Sequence, residues 1–146
     1  MSSNDWFVAA GGHTLSVRGA MHIAAAARAE ASRLDCRISV VVLDAGGSVL
    51  TLVKEDGVTD TVTAIAQNKA NTALTLRKAT ADFVDSVRSN QVLLTTLACQ
   101  PGIALMPGGV PVLAGDVVVG AVGVSGGRGD QDPKIAEAAV AALDDE

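Results

Sequence analysis

Three side chains of this 146-residue chain combine type and position in a way that suits chemistry: Lys69, His22 and Asp44. Lys69 falls inside an otherwise apolar stripe (Val62, Ile65, Ala66, Ala73, Leu76) that repeats at the helical angle of about 100° per residue. A lone ammonium there is costly, so it needs a carboxylate partner or a rim to which its stem can snorkel. Asp44, Glu55 and Asp56, at the ends of a neighbouring hairpin, are the protein candidates, and a ligand carboxylate is the alternative. His22 shares one helix face with Arg18, Ala25, Ala26, Ala29 and Arg33. On such a face a histidine is either a surface or interface residue, or the ligand to a metal-centred planar cofactor that the small alanines allow close. In the second case Arg18 and Arg33 would meet its acidic substituents. His13 is a weaker candidate, and two histidines alone do not form a metal site. Asp44, between a strand and Gly46-Gly47, reads as a turn former, or as a general base if it is desolvated.

Two glycine-rich stretches could supply backbone. In Met106-Pro107-Gly108-Gly109-Val110-Pro111 the prolines fix entry to and exit from a turn. Gly108 and Gly109 would leave bare peptide beside a ligand. Met106 is either a soft iron ligand or a core side chain. Ser125 to Asp130 superficially suggests a phosphate cradle before a helix, but it lacks the spacing and lysine of a P-loop and reads better as a flexible rim loop.

Composition narrows the classes. A net charge of −5 with no basic cluster argues against nucleic acid. Cys36 and Cys99 match neither a metal quartet nor a disulfide framework and read as buried, reduced thiols. No apolar stretch approaches the roughly twenty residues of a membrane span and no signal peptide is visible, so a cytoplasmic location is expected. With only Trp6, Phe7 and Phe83 aromatic, any planar ligand would be held by aliphatic walls and backbone.

The elements that must position these residues follow from periodicity. Residues 1–12 read as a flexible arm whose Trp6 and Phe7 could dock on a neighbouring subunit, and residues 13–146 as a single domain. Thr14 or Ser16 caps a helix from Val17 to Leu34 with an inner stripe of Val17, Ala20, Ile23, Ala24, Ala27, Ala31 and Leu34. Arg37 to Asp44 and Val49 to Lys54 form a hairpin, and a helix follows from about Val62 to Arg77. Thr80 caps a short helix, whereas Gln91 to Gln100 is ambiguous. Ile103 to Met106, Val110 to Ala114 and the run from Val117 read as strands, the last buried on both faces. Asp132 before Pro133 reads as the N-cap of a final helix. Tight turns between strands, with helices before, between and after, imply an α+β fold: an antiparallel sheet covered on both faces.

The ordered set Val42-Leu43-Asp44-Ala45-Gly46-Gly47, Asp56-Gly57, Lys69-Ala70-Asn71-Thr72-Ala73, Met106 to Pro111, Val119 to Gly126 and Gln131-Asp132 resembles the GlcG/HbpS family, also called the haem-degrading or DUF336 domain. The resemblance implies a profilin-like, five-stranded antiparallel sheet of order 2-1-5-4-3, homo-oligomers, and haem as cofactor, with degradation or redox sensing in characterised members. It also implies His22 as the iron ligand, and Lys69 with the Pro-Gly-Gly-Val-Pro turn lining or shaping the pocket. The competing expectation is a cofactor-independent isomerase, cyclase, lyase or dehydratase acting on a small oxygenated or carboxylate metabolite, in which Lys69 anchors the anion and Asp44 or His22 moves a proton. A third is a structural protein whose alanine-rich helix face is an assembly surface.

Overall fold

The computed structural model describes residues 6–9 and 13–144. Its elements in chain order are β1 (Phe7–Ala9), β2 (His13–Leu15), α1 (Val17–Arg33), β3 (Ser39–Asp44), β4 (Val49–Lys54), α2 (Asp60–Leu76), α3 (Thr80–Val87), α4 (Gln91–Ala98), β5 (Gly109–Ala114), β6 (Val117–Ser125) and α5 (Gln131–Ala141). A 3-10 turn, Ala142–Asp144, follows α5. The main sheet is antiparallel in the order β4-β3-β6-β5, and β1 and β2 pair separately.

Hydroxyl caps start the two long helices. Ser16 Oγ accepts from Gly19 N at 3.0 Å and begins α1; Thr59 Oγ1 accepts from Val62 N at 3.3 Å and begins α2. On β3, Val40 and Val42 point into a core shared with α1 and α5. Their neighbours Val41 and Leu43 meet Ala66 and Ala70 of α2 on the other face. β6 runs between β3 and β5 and is buried from Val119 to Ser125, as its apolar run predicts. A β-carbon at Gly123 would collide with Ala66 O, so this glycine lets α2 lie directly on the sheet.

The structure corrects the sequence reading in four places and resolves a fifth that was open. Residues 103–106 are not a strand, so the main sheet has four strands in the expected order and lacks the fifth. α2 side chains take up the polar groups of this segment: Asn71 Nδ2 donates to Gly102 O at 2.9 Å, and Ala104 N donates to Thr72 Oγ1 at 2.9 Å. Gln91 to Ala98 is a helix, started by Asn90 Oδ1 accepting from Leu93 N. Val17 is 55% exposed rather than part of the inner stripe of α1, and Cys99 is exposed because α4 buries none of its residues. Trp6 is buried in its own chain rather than on a neighbour, and its carbonyl accepts from Ser16 N at 2.7 Å. The rest of the expected arm, residues 1–5 and 10–12, lies outside the described residues.

Candidate functional site

Lys69 is 1% exposed and does have an anionic partner, but not one of the hairpin carboxylates. Its Nζ donates to Asp132 Oδ2 at 3.0 Å and to Val124 O at 2.9 Å. Asp132 Oδ1 accepts from Gly127 N at 2.8 Å. Asp132 therefore faces back over the β6–α5 loop instead of capping α5; the cap position belongs to Asp130. The three carboxylates expected for Lys69 are engaged elsewhere or directed away. Asp44 Oδ1 accepts from Gly46 N and Ser48 N, the turn-forming role, and Glu55 accepts from Ile38 N and pairs with Arg28. Asp56 is exposed in the turn after β4.

Gly108 and Gly109 are brought to Lys69, but as packing and not as open backbone. Both are buried. A β-carbon on Gly108, whose φ is +129°, would lie 2.9 Å from Lys69 Nζ and 2.6 Å from Val124 O. Thr80 Oγ1 accepts from Gly109 N at 3.0 Å, which fastens α3 to the same corner. The corner is a lock joining α2, α3, β5, β6 and α5 around one ammonium. Met106, just before it, is 49% exposed and touches none of these groups through a hydrogen bond.

His22 lies on the opposite face of the sheet. Its ring stacks on Trp6 with centroids 4.6 Å apart and 29° between planes, and Nε2 is 3.1 Å from Ala142 O. A carbonyl only accepts, so Nε2 carries the hydrogen, and in the neutral ring the lone pair is assigned to Nδ1. The flank beside His22 carries Val17 and Met21, 55% and 61% exposed, with Ala25 and Arg18 also exposed. Arg18 makes no ion pair among the described residues, whereas Arg33 is held by Glu30 in a bidentate pair that lowers the Glu30 carboxyl below its usual range. Arg33 is eleven residues beyond His22, about 16 Å along α1. Asp44 pairs with Gly120 on β6, four residues from the Val124 carbonyl that Lys69 holds. The acid–base set of Lys69, Asp44 and His22 is thus spread over two faces and the end of the inner strand β3, not gathered around a common point.

Sequence reading missed Asp132, Met21 and the Trp6–His22 stack. The signal for Asp132 was present, since a lysine in a buried stripe demands an anion, but a capping role before Pro133 accounted for it locally. The backbone amides of the glycine loop before α5 do not form a phosphate cradle. Gly127 N is taken by Asp132, and Arg128 N donates to Gln131 Oε1 at 2.7 Å.

The family model described as haem degrading protein HbpS-like matches residues 15–141. The chain is 36% identical to Protein GlcG of Escherichia coli K12 over 111 residues, 76% of this chain and 81% of that protein. Among solved structures, Klebsiella pneumoniae protein ORFY of the DUF336 family superposes with a TM-score of 0.82 at 30% identity, covering 89% of this chain and 90% of that one. A PduOC:heme complex superposes with a TM-score of 0.79 at 27% identity, covering 88% and 94%. No helix among the described residues is long and apolar enough to cross a membrane.

Proposed function

As the chain belongs to the HbpS-like haem-degrading family, we propose that it binds haem on the outer flank of α1, with His22 as the iron ligand. The observation that carries this reading is the His22–Ala142 bond. Metal-ligating histidines characteristically donate their second ring nitrogen to a carbonyl or carboxylate, which fixes the tautomer and keeps the other nitrogen's lone pair for the metal. The surrounding residues fit the group. Val17, Met21 and Ala25 offer an aliphatic surface for a planar macrocycle, Trp6 backs the imidazole, and Arg18, without an ion pair among the described residues, supplies a guanidinium for a propionate. Bound haem would supply an iron centre capable of redox chemistry; the chain's own part is to ligate, orient and neutralise. A haem complex among the structural relatives supports the choice of ligand, and the same reading includes a cytoplasmic homo-oligomer.

The test is titration with hemin. A saturable Soret band is expected, its position shifted in His22→Ala, with Arg18→Gln weakening binding about fivefold while leaving the band in place. An unchanged spectrum in His22→Ala, in a variant shown to be folded by circular dichroism, removes His22 from the site. Light scattering on His22→Glu tests the assembly: an intact oligomer shows that this flank is not buried between copies and is free for the ligand.

A further inference from the structure

A second site lies at the far end of α1. Between the turn that follows α1 and the β6–α5 loop is a hollow of about 470 Å³, lined by Asp35, Cys36, Arg37, Gly126, Arg128 and Gln131. Its volume is in the range of small-molecule pockets. Leu34, which also borders it, is twelve residues past His22, about 18 Å along the helix, so this is not the haem-binding flank.

Both walls are held in place from within. The turn closes on α1 through Leu34 N to Glu30 O at 3.0 Å and Cys36 N to Ala31 O at 2.9 Å. On the other side Gly126, with φ +120°, lays the loop against Arg37; a β-carbon there would sit 2.6 Å from Arg37 O. Asp132 and Gln131 hold the next two amides, which leaves the Arg128 side chain exposed at the rim. Two arginines line the hollow, and Arg37 also borders the neighbouring hollow formed with Lys54, Glu55 and Asp56. Arg37 Nη1 donates to a neutral acceptor, Asp56 O, at 3.0 Å, and among the described residues neither Arg37 nor Arg128 forms an ion pair. Asp35 is the carboxylate in the lining. Elsewhere in the chain the exposed arginines Arg33 and Arg88 each hold a carboxylate one turn away, whereas Arg18 and Arg77 form no ion pair among the described residues.

We propose that this hollow binds a small hydroxylated oxyanion, a hydroxycarboxylate or a phosphate ester, clamped by Arg37 and Arg128 with its hydroxyl donating to Asp35. Guanidiniums form paired hydrogen bonds to carboxylate or phosphate oxygens, and the one carboxylate in the lining favours a ligand that also carries a donor.

Calorimetric titration with malate, succinate and inorganic phosphate tests this and separates the sources. Malate binding tighter than succinate is expected for a hydroxycarboxylate site, and phosphate binding tighter than both for a phosphate-ester site. Either ligand should bind about tenfold more weakly to Arg128→Gln and to Arg37→Gln, and unchanged to Arg88→Gln, whose charge is paired with Asp85 on α3. In a Cys99→Ser background, saturating ligand should slow maleimide labelling of Cys36, which lines the hollow. Absence of saturable binding of all three up to about 10 mM, or wild-type affinity in Arg128→Gln, overturns the proposal. None of these measurements involves haem, so their failure leaves the reading of His22 untouched.

Discussion

Lys69 shows what a single residue can reveal from sequence and where the reading stops. Its place in an apolar stripe required an anion, and the structure supplies one, but sixty-three positions along the chain at Asp132. Nothing local marks that pairing, because the same aspartate before Pro133 satisfies the rules for starting a helix. The physical consequence is measurable. Lys69→Met should remove about 3 kcal/mol of unfolding free energy, the lower part of the range for breaking a buried pair, since the Asp132 side chain keeps 14% exposure. The loss should shrink in an Asp132→Asn background, where no charge is stranded while the bond from Gly127 N can persist. Equal losses in both backgrounds, by denaturant titration, would mean the two side chains are not coupled. Cys36 carries a second prediction. Burial, then the charges of Asp132, Glu55 and Asp35, raise its thiol pKa above the ordinary 9.0. A raised folded-state pKa gives stability that is complete below the unfolded value and lost as pH climbs through the folded one. Stability should therefore decline above about pH 9, and the decline should be shallower in Cys36→Ala.

The long elements were legible because their periodicity is written in many residues. The stripe of α1 from Ala20 to Ala31 is buried as predicted, and the glycines of β6 do mark where other backbone comes close. Short elements were not, because one or two distant hydrogen bonds decide them. Residues 103–106 have strand-like composition, yet Thr72 and Asn71 of α2 capture the backbone before it can pair with β5. Thr72 is fully buried and its hydroxyl also donates to Asn68 O at 2.6 Å, so the residue bonds both ways at once. Thr72→Val keeps the shape and strands the Ala104 amide. It should cost about 1–3 kcal/mol and speed hydrogen exchange at Ala104, while Thr72→Ser should restore protection. Unchanged exchange at Ala104 in the valine variant would show that another group orders this segment.

At the scale of the molecule, a helical wheel says which side of a helix is buried but not which face of the sheet buries it. That is why His22 and Lys69 could be combined from sequence and are separated in the structure. α1 and α5 cover one face, α2 the other, and β3 and β6 form the layer between them. Stability should follow the same layering. β3 is buried from Ser39 to Leu43 and β6 from Val119 to Ser125, so their amides should open only on global unfolding. α4 buries no residue and leaves Val92 79% exposed, so little beyond its Asn90 cap and its contact with α3 holds it down. Hydrogen–deuterium exchange read by mass spectrometry should therefore show α4 exchanging through local opening at dilute protein, well before the central strands. Protection of α4 equal to that of β6 would require a cover for Val92 that a lone chain does not supply. Because such a cover would come from association, the protection would fall as the protein is diluted, which distinguishes it from stability intrinsic to the fold.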